Sequence, residues 1–574
     1  MRALTSEFGL RLARADAIVV LSMLAILAGM ITGVIIILFR VITEYTLVWA
    51  NVLPAIDRFE PLGWEWRLGL PSAGGFAIGL LFQFAPVAVR EVGPVHVMAQ
   101  LARHGGRLPG ANAIMQFVGG SLSIVAGHSV GREGPVIHLG AACASLMGQW
   151  MRLPNNSIRT LVACGVAGSI AASFNTPLAG VVFAMEVVMF EYTLAGFTPV
   201  VLAAVSATSL SRLVFGPDPA ISVGGMQMAS LLELPWVLLL GAVVGCLSAG
   251  YGAGIVAVGN RSRRLPTWLR ITAAGVFTGL CALVAPEVMG LGYDTVQAAM
   301  LGEIGLAVLA LIVVAKMVAT IACGGLGVPG GLIGPLLVIG AGAGGALGII
   351  GHALVPGSSA APAFYATLGA VAMMGAALHA PLAALTAVLE LTGNPNIILP
   401  GMAAVITAFL VSRAFFGQKP LFVAILHARG IDYRVDAVAL ELERTGVAAV
   451  MSPDPAVIDE RTMCGKVPAK LSSAKWAVLV AGDRVRSVWP VEALGAIAAK
   501  AEGDTAISVA VGEAAPAFAT VPKHATLGEA LARLDKAGAD VALVVAGAVA
   551  RAPYVRGVIS RVQIDAGVRR HALR

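Results

Sequence analysis

The stretches GREGPVIHLGAACASLMGQW (131–150) and GLIGPLLVIGAGAGGALG (331–348) share one pattern: Gly-x-x-Gly-Pro opening an apolar helix after a glycine-rich approach. A second pair lies downstream. TPLAGVVFAME (176–186) and APLAALTAVLE (380–390) align at Pro, Leu and Ala, with a Glu nine residues after the proline in each. Both pairs are separated by about 200 residues, so the chain contains two halves with Gly/Pro-broken helices at matching positions. In a membrane protein this signature predicts a transporter or channel built from a structural repeat, with the binding site where the breaks meet.

The local chemistry points the same way. A Pro in the first helical turn loses no hydrogen bond, and a Gly before it lets the backbone approach a ligand. Helices that start near the membrane midplane expose unpaired N–H groups and positive dipole ends, which hold an anion without the full charge that would trap it. Glu133, inside the first loop, is a functional candidate because an ionisable group buried in a membrane is costly unless paired or used. A capping salt bridge to Arg132 is the structural alternative.

The totals require a membrane. The 574 residues are 58% hydrophobic and 12% charged, with mean hydropathy +0.86. Sixty-eight glycines and Ala-rich runs suit helices that pack closely in lipid, which favours a helical bundle over a barrel. Spans begin at 17–39, AIVVLSMLAILAGMITGVIIILF, which is retained because no short apolar region with a cleavage site precedes it. Cys143, Cys164, Cys246, Cys281, Cys323 and Cys464 form no CxxC or Cys/His cluster and read as packing residues, with no metal and no disulfide. Arg2, Arg11, Arg14 and NRSRRLPTWLR (260–270) orient the chain with a cytoplasmic N-terminus. The net charge of +7 reflects this bias; no basic patch with interleaved aromatics predicts nucleic-acid binding.

After about residue 430 charges return. The domains predicted are a membrane domain at 1–430, with halves at about 17–215 and 230–430, and a cytoplasmic α/β domain at 431–574. The latter holds its own repeat, at about 445–500 and 516–568, each copy running strand, Pro-containing turn, helix, strand, strand. It resembles a pair of cystathionine-β-synthase (CBS) modules.

Five motifs in order, GREGP, GVAGSIAASFNTPLAGVVFAME (165–186), GVPGGLIGPLLVIGAGAGGALG (327–348), HAPLAALTAVLELTGN (379–394) and GQKPLFVAILHARG (417–430), resemble the CLC family of chloride channels and proton/chloride antiporters. The resemblance implies an all-α polytopic fold with inverted halves and broken, re-entrant helices. It also implies a homodimer with one chloride pathway per subunit, and Glu133 as the gate that occupies the anion seat when ionised. The family's Gly-Ser-Gly-x-Pro loop aligns with EVGPV (91–95), which places Val92 where the anion-binding serine would stand, followed by Gly93 and Pro94. Ile333 replaces a phenylalanine beside Gly334, and Phe422 replaces the central tyrosine. Coordination then falls on backbone amides near Gly93, Gly134, Ile333 and Gly334, with Arg132 adding a field or anchoring its loop.

Val187 occupies the place where many family exchangers carry an inner proton-relaying glutamate. A valine carries no proton, so this position favours a gated channel, with a proton-coupled chloride or fluoride antiporter as the alternative. Glu186 and its counterpart Glu390 suggest a shared structural role. In the tail, Gln563 replaces the Asp that would hold a nucleotide ribose, unless Asp565 substitutes, which favours structural use over adenine-nucleotide binding. No other cofactor is expected. An enzyme is disfavoured: His96, His138 and His379 lie in different segments with no HExxH spacing and read as packed histidines. The expected location is a bacterial inner membrane, with both termini cytoplasmic.

Overall fold

A computed structural model describes residues 18–191, 194–217, 226–355, 360–431, 433, 442–443, 445–471, 474–512, 515–546 and 550–572. Arg2, Arg11 and Arg14, used above for orientation, lie outside the described residues, as does most of the junction after residue 431. The chain divides into two compact units. One consists of Leu21–Gln149 and Thr160–Tyr433; the other includes Trp150–Arg159 and Arg434–Arg574.

The first unit is helical. Its first half runs α1 (Ile18–Trp49), α2 (Trp64–Phe84), α3 (Gly93–His104), α4 (Gly110–Val125), α5 (Glu133–Trp150), α6 (Asn155–Phe174), α7 (Pro177–Phe183) and α8 (Leu194–Phe215), with the end of α5 and the first residues of α6 counted in the other unit. The second half runs α9 (Leu234–Ser262), α10 (Thr267–Val284), α11 (Tyr293–Leu301), α12 (Leu306–Leu326), α13 (Ile333–Leu354), α14 (Pro362–Leu378), α15 (Pro381–Thr392) and α16 (Ile398–Leu410), followed by α17 (Leu421–Ala428). Among the described residues, eight helices are long and apolar enough to cross a membrane. Others, such as α4 and α15, are apolar but short, as a broken-helix bundle requires.

Sequence dictates where helices begin. Pro177, Pro362 and Pro381 each occupy the first turn, where the missing N–H is no loss. Two of those starts are closed by carboxylates from the opposite half. Glu390 accepts from the N–H groups of Leu178 and Ala179 at 3.0 and 2.7 Å, and Glu186 accepts from Leu382 and Ala383 at 3.3 and 2.7 Å. Each acid satisfies orphan donors and complements a helix dipole. The paired glutamates seen in the sequence are therefore reciprocal caps.

Glycine sets the packing distance. An added Cβ at Gly140 would meet the carbonyl oxygen of Gly165 at 2.2 Å, and one at Gly165 would meet that of Gly140 at 2.1 Å. The other half repeats the arrangement, with Gly340 against Gly369 at 2.3 Å and the reverse at 2.1 Å. Backbones this close leave room for hydrogen only, which is how small residues hold membrane helices together.

The second unit is α/β. β2 (Ala456–Asp459) pairs parallel with β3 (Trp476–Ala481), which pairs antiparallel with β4 (Arg484–Pro490) before α18 (Val491–Lys500). β5 (Phe518–Pro522), β6 (Val541–Val545) and β7 (Val555–Ser560) repeat that pairing around α19 (Leu527–Ala537), and α20 (Arg561–Ala572) follows. β1 (Ser452–Pro453) adds to the edge of β7. The sheets share a core that includes Val478, Val480, Val488, Leu543 and Val558.

A Gly165→Leu substitution forces α5 and α6 apart and should lower stability by roughly 1–3 kcal/mol or more, as overpacking does. Thermal unfolding in detergent, followed by tryptophan fluorescence, should show a fall in Tm. An unchanged Tm would mean that the two helices are not held at this distance.

Candidate functional site

Two loops are joined within the helical unit. Gly131 N donates to Gly331 O at 2.8 Å and Gly331 N donates to Gly131 O at 2.6 Å, a single antiparallel bridge between the Gly-x-x-Gly-Pro motifs. The starts of α5 and α13 are thereby fixed side by side. Gly134 is pressed so closely that an added Cβ would lie 2.7 Å from Gly330 O. Glu133, Gly134, Ile333 and Gly334 are all buried there.

The Glu133 side chain folds back over this bridge. Its Oε2 lies 1.9 Å from where a Cβ on Gly131 would stand and 2.5 Å from that of Gly331, so both motifs need glycine to admit the carboxyl. Oε1 accepts a hydrogen bond from the Tyr293 hydroxyl. Oε2 is buried with no hydrogen-bond partner among the described residues. A group 3% exposed and half satisfied is held by little more than one hydroxyl. It can leave.

Arg132 does not pair with Glu133. It bonds Glu44 of α1, which also takes Arg40 Nε at 2.9 Å, and its guanidinium stacks 4.6 Å from the Phe174 centroid and 5.1 Å from that of Tyr293. Two guanidinium groups share one carboxylate, so the buried cluster carries excess positive charge beside the loop. Arg132, expected among the anion contacts, is thus committed to Glu44 because that carboxylate is within its reach.

The remaining sequence candidates lie on several other elements. Gly93 opens α3 at φ +81°, a left-handed value that suits glycine, with nothing within 4 Å of a notional Cβ. Val92 and Tyr293 pack on one apolar cluster with Val130, Val136 and Val328. Pro94 is buried in the first turn of α3. Phe422, 3% exposed, sits in α17, which packs against α3 and α9. Val187 is buried in the π-helical turn Ala184–Met189 that continues α7. His96 and His138, far apart in sequence, meet at 2.8 Å, whereas the His379 ring packs 4.9 Å from Phe409. GHSVG (127–131), which the sequence reading passed over in finding no GxSxG, matches the pattern of a hydrolase nucleophile turn. Its Ser129 is fully buried against Thr320 at 2.9 Å, which leaves no accessible nucleophile.

Tyr293 escaped the sequence reading. The available signal was spacing: α11 begins about 200 residues after α3, the same interval that relates the two Gly-x-x-Gly-Pro loops. Asp57 fixes this start by accepting from Leu291 N at 2.9 Å and Gly292 N at 2.8 Å. The tyrosine ring lies 5.8 Å from Phe174, edge to face. A second hydroxyl, that of fully buried Tyr251, donates to Leu332 O at 3.1 Å within the second loop.

The family model described as "Voltage gated chloride channel" matches residues 74–413. A chloride channel protein described as ClcB-like, from Ralstonia nicotianae, is 33% identical over 363 residues, covering 62% of this chain and 84% of the relative. The "H(+)/Cl(-) exchange transporter ClcA" of Salmonella agona is 30% identical over 369 residues, covering 62% and 74%. Among solved structures, a slow cyanobacterial Cl-/H+ antiporter matches with TM-score 0.64 at 26% identity, covering 71% of this chain and 97% of the other. A eukaryotic CLC transporter matches in fold with TM-score 0.59 at 17% identity, covering 96% and 99%.

Tyr293→Phe removes the one hydroxyl on Glu133. A typical hydrogen bond contributes about 0.5–1.5 kcal/mol, so if Glu133 holds an anion path closed, anion efflux from liposomes should rise by about two- to tenfold. Efflux equal to wild type would show that the tyrosine does not hold this group.

Proposed function

The chain belongs to the voltage-gated chloride channel family, the CLC proteins, and we propose that it exchanges chloride for protons, with Glu133 as the gate. The anion seat in this reading is made by amides at the starts of α3, α5 and α13, near Gly93, Gly134, Ile333 and Gly334. Peptide dipoles hold a dehydrated halide there. Ionised, the Glu133 carboxylate competes for the same donors; protonated, it loses that attraction, swings off and carries its proton with it. The Arg40–Glu44–Arg132 cluster supplies positive potential, and Val92 and Phe422 line the seat without donating to the ion.

One observation carries this proposal. The Glu133 carboxyl lies against glycines of both loops, buried, with a single hydroxyl partner. Such a group is poorly tethered at a place where two helix starts converge. Exchange is favoured over the channel that Val187 suggested because the Salmonella relative is named an exchange transporter and the 26% identical structure is an antiporter. One missing glutamate is weak evidence when another group can deliver the proton. Chloride is the anion these names give, and comparison of fluoride with chloride efflux checks it.

The C-terminal unit we read as a CBS pair used structurally. Gln563, where a ribose-binding Asp would stand, is occupied: its Oε1 accepts from Ser560 N at 3.0 Å and its Nε2 donates to Ser452 Oγ at 2.9 Å. The proposal also includes a homodimer with one pathway per subunit in a bacterial inner membrane, with cytoplasmic termini.

Reconstituted protein in a chloride gradient should drive uphill proton movement, and Glu133→Gln should cut proton transport at least tenfold while chloride still leaks. Absence of proton movement in the wild type would overturn exchange; an unaffected variant would remove Glu133 from the gate. Titration calorimetry of the full chain with ATP should give no saturable heat. Saturation would assign nucleotide sensing to the tail.

A further inference from the structure

Exchange needs a proton path to Glu133, and the inner position is a buried valine. A different line of groups lies on one face of α3. His96, Gln100 and His104 are spaced four residues apart, one above another on a helix, and grade from 4% exposed through half-buried to exposed. Gln100 Nε2 bonds His96 Nε2 at 3.0 Å, and His96 Nδ1 bonds His138 Nε2 at 2.8 Å across to α5. His138 is fully buried, and its Nδ1 has no hydrogen-bond partner among the described residues.

The pair sits just past both helix starts. His96 is three residues past Gly93 and His138 four past Gly134, so the bond joins the two helices about 4.5–6 Å along their axes from the proposed anion seat. Glu133 lies about 7.5 Å along the α5 axis from His138, so the last transfer in this route runs through water between them. A buried imidazole with one nitrogen unsatisfied is expensive as packing, since an isosteric apolar side chain would fill the space without an orphan polar atom. Imidazole is also the side chain suited to passing protons, because it accepts on one nitrogen while releasing from the other.

We propose that His96 and His138 form the proton relay of this exchanger, receiving protons at the His104 end of α3 and delivering them to Glu133 in place of the glutamate absent at Val187. The inference rests on the exchange reading. With Gln100 donating to His96 Nε2, the His96 Nδ1 proton points to His138 Nε2 and the His138 Nδ1 proton is the free one. A proton entering at His96 Nε2 displaces the Gln100 contact; the Nδ1 proton of His96 passes to His138 Nε2; the Nδ1 proton of His138 passes through water to the Glu133 carboxylate. One proton enters, one leaves, and both rings return by exchanging tautomers. Charged groups around the entrance are His104 and the Glu91–Arg429 pair, at 2.5 Å, which neutralise one another; Arg103 turns to Gly430 O at 3.4 Å.

The test measures proton and chloride flux together in liposomes, for the wild type and for His96→Gln, His138→Gln and Gln100→Leu. The expected result is at least a tenfold fall in protons moved per chloride in both histidine variants, with chloride efflux still measurable, and a smaller fall in Gln100→Leu. Size-exclusion profiles report folding; if both histidine variants misfold, the half-buried Gln100→Leu decides by the same ratio. Wild-type ratios in the folded variants overturn the relay alone. A wild type that moves chloride without protons overturns exchange, and the relay with it.

Discussion

Two backbone hydrogen bonds between Gly131 and Gly331 are the constraint from which the site follows. They lock the first turns of α5 and α13 together, and both positions must be glycine because a carboxyl occupies the space a side chain would need. The bridge lies between motifs from opposite halves. Helix starts with unsatisfied N–H groups are a liability in lipid unless something satisfies them. At two pairs of starts the protein resolves this differently. Glu186 and Glu390 close theirs permanently with two bonds each, while Glu133 leans over its own pair with one hydroxyl behind it.

The contrast shows how one repeated scaffold separates structure from function. The capping glutamates act across the two halves and are doubly bonded. Glu133 has no equivalent in the second half, where Ile333 stands in the matching place. Symmetry fixes the frame, and its violation places a carboxyl where the other half has an apolar side chain. Arg132, which adjoins Glu133 in sequence, pairs with Glu44 instead, and so the Glu133 carboxyl has no cation partner among the described residues.

The repeat was legible because Gly, Pro and Glu at fixed offsets have few other meanings in an apolar chain, and those residues do mark helix starts and caps. Pairings that depend on distance through space were not. Glu44 lies far from Arg132 in sequence, Tyr293 opens a helix whose approach GLGYD shares almost nothing with EVGPV, and His96 and His138 lie on separate helices. Val187 favoured a channel, whereas similar proteins are named exchange transporter and antiporter; the absence of one acid says nothing about another route.

The reciprocal caps have a consequence for biosynthesis. When the ribosome has delivered α7, its exposed amides still lack the carboxylate of Glu390, about 200 residues short of being synthesised. Glu186 meanwhile waits without its own destination. The early half must therefore sit in the bilayer as an incompletely bonded intermediate, sheltered by the insertion machinery or by water, and the last third of the membrane unit acts as the clasp that closes it.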